Sequence, residues 1–90
     1  MKETDLIGLL REISNELKQA QAVRGGTDLR SIIENYERVV MLLLGGNLTD
    51  NLIRFSPREY LEIYSDYEKS LLEKMDFAQR EVNGFLVVRP

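Results

Sequence analysis

Ser56-Pro57-Arg58-Glu59 is the stretch on which the fold of this chain turns. A Ser followed three residues later by Glu has the pattern of a capping box. In it the Ser56 hydroxyl accepts from the Glu59 backbone N–H, and the Glu59 carboxylate reaches back to the N–H of Ser56. Pro57 falls at the first helical position, where the donor it lacks is not needed. Phe55 and Tyr60 flank the cap at the spacing of a hydrophobic staple. About 26 residues without Gly or Pro follow, as far as Asn83-Gly84. At about 1.5 Å per residue they predict a third helix roughly 39 Å long.

Working outward, this segment carries Tyr60, Tyr64, Tyr67, Leu71, Met75, Ala78 and Val82 on one face. Glu59, Glu62, Asp66, Lys69, Glu73, Asp76 and Arg80 form a charged stripe at the same helical spacing. Neighbours of opposite sign, Glu62 or Asp66 with Lys69 and Asp76 with Arg80, are placed to pair. Upstream, Leu29, Ile32, Ile33, Tyr36, Val39, Val40, Leu43 and Leu44 give a second helix a wide apolar face and predict it to be the central element. Thr27 is its expected cap, and Gly45-Gly46 its expected end. A first helix, capped by Thr4 or Asp5, carries Leu6, Leu10, Ile13, Leu17 and Ala20 in the 4-3-4-3 steps of a coiled-coil seam and stops at Gly25-Gly26. The tail Phe85-Leu86-Val87-Val88-Arg89-Pro90 has strand-like chemistry. Its only strand-like counterpart, Leu52-Ile53-Arg54-Phe55, lies at the far end of a straight third helix. The expectation is therefore an all-α, three-helix antiparallel bundle over residues 1–84, with a long third helix and an extended tail over 85–90.

Composition narrows the chemistry. The chain has no Cys and no His, so disulfides, thiolate nucleophiles, Ser-His-Asp sites and Cys or His metal sites are impossible. Glu59, Glu62 and Asp66 are oxygen ligands on one side of a helix, but Lys69 shares their stripe and a carboxylate di-metal bundle also uses His. A solvated face is the expectation, with no metal, no cofactor and no catalytic residue. Gly25-Gly26 and Gly45-Gly46-Asn47 do not follow strands and lack the Gly-Lys-Ser/Thr ending of a phosphate loop, so they read as turns. The net charge of −3 is spread evenly and leaves no basic stripe for a phosphate backbone. The longest apolar run, Val39 to Leu44, is too short for a membrane span. The N-terminal residues do not resemble a signal peptide, and a cytoplasmic location is expected.

In outline the chain resembles several kinds of small acidic helical protein, among them secretion chaperones, immunity proteins and replisome scaffold modules, and no motif selects one. The expected function is a non-enzymatic helical protein–protein interaction module, whether adaptor, chaperone or regulatory subunit. The alternative is a small helical nucleic-acid-associated regulator or a replisome or secretion scaffold subunit. Self-association is expected because a long third helix overhangs the second and its apolar residues continue along the overhang. An antiparallel homodimer would let each tail meet the other copy's residues 52–55. Tyr60, Tyr64, Tyr67, Leu71, Met75, Phe77 and Phe85 are the expected interface residues, since aromatic side chains are enriched at hot spots.

One prediction follows from charge alone. Fluorescence anisotropy at about 150 mM salt should show no sub-micromolar binding of duplex or single-stranded nucleic acid.

Overall fold

A computed structural model describes residues 1–64 and 69–87. All regular structure among the described residues is helical. α1 spans Glu3–Arg24, α2 Arg30–Gly45, α3 Ser56–Ile63 and α4 Lys69–Val82, followed by a 3-10 turn at Asn83–Phe85. The all-α class agrees with the periodicity, but the three-helix count does not. The segment expected to form one long helix is two helices, because α3 stops at Tyr64, whose backbone is extended (φ −119°, ψ 109°).

The break has a physical cause. Tyr60, Tyr64, Leu71, Met75, Ala78 and Val82 are all buried in the one core. A straight helix would carry half of this stripe past the end of α2 and leave it wet. Burial at about 25 cal/mol per Å2 over several large side chains outweighs the few backbone hydrogen bonds lost at the break. The overhang that argued for a dimer through the third helix is thereby removed.

α1 is the central element, not α2: it packs on α2 along one side and α4 along the other. Its heptad seam is the innermost layer, with Leu6, Leu10, Ile13 and Leu17 fully buried. α2 runs antiparallel to α1, tied to it by Lys18 Nζ to Glu37 Oε1 at 3.1 Å. α4 is fastened to the opposite flank by Lys74, whose ammonium reaches Glu12 at 3.2 Å and Glu16 at 3.1 Å. α3 packs chiefly on α4 and lightly on α2. Leu44, expected in the α2 core face, is instead 63% exposed.

The glycine stops are as expected. Gly25 (φ 73°) and Gly46 (φ 69°) take the left-handed conformation that ends α1 and α2. The caps are not. α1 begins at Glu3, ahead of Thr4 and Asp5, with no side-chain cap. α2 begins three residues after Thr27, and the Leu29 N–H at its start donates to Gln21 Oε1 of α1 at 2.9 Å. α3 begins at Ser56 itself, so Ser56 does not cap it. Its hydroxyl instead forms a buried 2.6 Å hydrogen bond with the Tyr36 hydroxyl of α2. Phe55 is 61% exposed while Tyr60 is buried, so the staple does not form. A phenol inside a dry core needs a partner more than a helix end open to water needs a cap.

The connection between α2 and α3 is held by Asn51. Its amide donates to the Gln79 carbonyl at 2.7 Å and to Asn83 Oδ1 at 3.0 Å, which serves the open C-terminal end of α4. Its own Oδ1 accepts from the Ile53 N–H at 3.1 Å. Because the third segment folds back, the tail does find its own chain. The Val87 N–H donates to the Leu48 carbonyl at 2.7 Å, and Phe85 and Leu86 pack against the core.

Ser56→Ala should therefore destabilise by stranding the Tyr36 hydroxyl, at about 1–3 kcal/mol. Tyr36→Phe should cost less in the Ser56→Ala background than in the parent chain, with a coupling of about 0.5–3 kcal/mol in denaturant titrations. Additive effects would return Ser56 to a capping role.

Candidate functional site

Two helices in contact leave a furrow wherever the side chains lining it are short. α1 and α2 have such a place on the side away from α4. The floor is Leu10, Tyr36 and Val40, all buried, with Ser14 between them. Ser14 is too small to fill the space that a Leu or Ile would occupy there. The result is an open groove of about 350 Å3. Its α1 wall carries Arg11, Asn15 and Lys18, and its α2 wall carries Glu37 and Met41. Met41 is 72% exposed, and Leu44, also exposed, stands one turn along the same helix.

The electrostatics of the groove are sided. The acids of α1 nearest this level, Glu12 and Glu16, turn to the opposite flank and hold Lys74. The α1 wall is thus left with cations alone, Arg11 and Lys18. On α2, Glu34 is engaged by Arg30 at 3.2 Å, and Glu37 meets Lys18. The Ser14 hydroxyl is buried on the floor with no hydrogen-bond partner among the described residues.

The expected interface residues lie elsewhere. Tyr60, Tyr64, Leu71 and Met75 are buried in the bundle's own core. Tyr60 and Tyr64 meet edge to face, with ring centroids 5.7 Å apart, and the Arg24 guanidinium covers the Tyr64 ring at 3.9 Å. The Tyr64 hydroxyl is buried and has no hydrogen-bond partner among the described residues. Phe85 is half-buried against the core, while Phe77 is 47% exposed on α4. Tyr67 lies outside the described residues, as does Asp66 of the acidic stripe. Glu62 of that stripe pairs with Arg58 at 3.5 Å, and Asp76 pairs with Arg80 as expected. Among the described residues no three acidic side chains gather as metal ligands would, and no helix is long and apolar enough to cross a membrane.

Comparison with known proteins adds no relative: no family model, curated protein or solved structure matches this chain.

Apolar periodicity along one segment does not reveal the groove, because a groove is a pair of faces. One signal was present. Met41 and Leu44 both lie toward one edge of the apolar face of α2, and Ser14 interrupts the α1 stripe between Leu10 and Leu17.

Tyr36 and Lys74 each give the chain a pH dependence. Burial raises the Tyr36 hydroxyl well above its ordinary range; the Ser56 hydrogen bond opposes this and Glu59 adds to it. The hydrogen bonds that Lys74 donates to Glu16 and then to Glu12 raise its pKa. Both groups hold their protons more tightly folded than unfolded. Their contribution is complete below the unfolded values, about 10 for each, and declines as pH climbs past them. Urea midpoints at about pH 9 and about pH 11 should show a fall that Tyr36→Phe flattens. Lys74→Gln should remove a smaller part, since its ion pairs reach solvent.

Proposed function

We propose that this chain is a non-enzymatic helical protein–protein interaction module and that the α1/α2 groove is its docking surface. The observation that carries the reading is the position of Met41: a large apolar side chain, 72% exposed, at the lip of a groove whose floor is buried and apolar. Such a combination is costly on a surface that meets only water and useful on one that meets protein. The mix of an apolar floor with charged walls fits a helical partner surface, which anchors through apolar side chains on one face and is oriented by charge. The composition supports the same reading, since with neither His nor Cys the chain cannot assemble the commonest nucleophile–base pairs.

The test is a photo-crosslinking side chain placed at position 41, with position 73, exposed on α4, as the control. In cells, position 41 should give a discrete protein adduct that position 73 does not. Equal, diffuse labelling from both positions would reject the groove as a docking surface.

A further inference from the structure

We propose that the groove's occupant is a second copy of this chain, docked about a twofold axis that runs along the groove so that α1 of each copy lies over α2 of the other. The inference rests on the docking reading above and adds the partner's identity.

The argument is one of matching levels. The Lys18–Glu37 pair sets those two residues at the same height on antiparallel helices. One turn back along α1 is Ser14, and one turn onward along α2 is Met41, so the recess and the protruding side chain also share a height. The same arithmetic sets Arg11 level with Leu44. A twofold axis parallel to the helices preserves height and exchanges the walls. Met41 of one copy then meets the Ser14 recess of the other, and the reciprocal contact follows from the symmetry. Lys18 of each copy meets Glu37 of the other, giving a four-charge cluster at one end of the interface. Leu44 lies over the aliphatic stem of Arg11, a stem suited to covering apolar surface.

Charge also excludes the other face-to-face dimer. A twofold axis crossing the helices would place α1 on α1, with the cations Arg11 and Lys18 of one copy against those of the other and no acid on that wall to separate them. It would also set the two Met41 side chains on the same α2–α2 seam and leave both Ser14 recesses empty. Only the parallel axis puts large on small and positive on negative together.

The experiment is a charge-exchange pair. Lys18→Glu gives a copy with acids at both 18 and 37, and Glu37→Lys gives a copy with lysines at both. Each variant alone faces like charge across the interface, whereas a mixture of the two faces opposite charge at every such contact. In light scattering at about 100 µM, the parent chain should weigh twice its 10.4 kDa. Each variant alone should weigh as a monomer, and the equimolar mixture should return to the dimer mass. Met41→Asp, an exposed substitution that leaves the helical circular dichroism unchanged, should give a monomer and serves as the second variant. A monomeric parent chain, a dimer unaffected by Met41→Asp, or a mixture that stays monomeric would each overturn the proposal. The two readings fail separately. A monomer whose position 41 still crosslinks to a protein of different mass overturns the second copy and retains the groove, and diffuse labelling at position 41 removes both.

Discussion

The seam of α1 must be covered from two sides. Leu6, Leu10, Ile13 and Leu17 form a stripe too wide for one neighbouring helix, and in a chain of 90 residues the covering helices have to come from nearby sequence. α2 reaches one flank by a short reversal at Gly25-Gly26. The other flank is reached only if the apolar stripe of residues 60–82 is brought back against α1, which a straight rod starting at Ser56 cannot achieve. The break at Tyr64, the return of α4 and the docking of the tail at Leu48 all follow from that one requirement.

Polar groups are then arranged around the packing. The Tyr36 phenol sits where its ring is wanted in the core, and Ser56 is placed to satisfy the hydroxyl. Gln21 of α1 takes the first free N–H of α2, and Asn51 takes a free carbonyl of α4. In each case a helix end is served by a side chain from another part of the chain, so the ends are fixed by tertiary contact. Lys74, bridging Glu12 and Glu16, holds the α1–α4 flank and leaves the α1–α2 flank of α1 cationic. The sidedness of the groove is thus a by-product of how the opposite flank was closed.

Much of this architecture was legible in the sequence. The seam of α1, the apolar face of α2 apart from Leu44, and both glycine stops are local patterns, and they read correctly. The identity of the buried residues in 60–82 was also legible, because periodicity survives a break of a few residues. What did not read was long-range. Ser56-Pro57-Arg58-Glu59 has the spacing of a capping box, and no local rule indicates that the phenol of Tyr36, twenty residues earlier, claims the same hydroxyl. The tyrosines looked like a recognition patch because their hydroxyls argued for exposure; in the fold Tyr60 and Tyr64 are covered by each other and by Arg24. The groove depends on two helices meeting with Ser14 opposite Met41, and that pairing exists only after the antiparallel register is set.

The place where the tail meets the bundle has a topological consequence. Glu3, Phe85 and Val87 border one small cleft with Leu42 and Leu48, so the path of the backbone nearly returns to its own beginning. The α1–α4 seam joins residues 62 and 58 positions apart, Lys74 with Glu12 and with Glu16. Loop-closure entropy weighs most heavily on that seam during folding, whereas the α1–α2 hairpin is nearly free of it. Low contact order favours early closure of the α1–α2 hairpin, and the groove is lined wholly by residues of that hairpin.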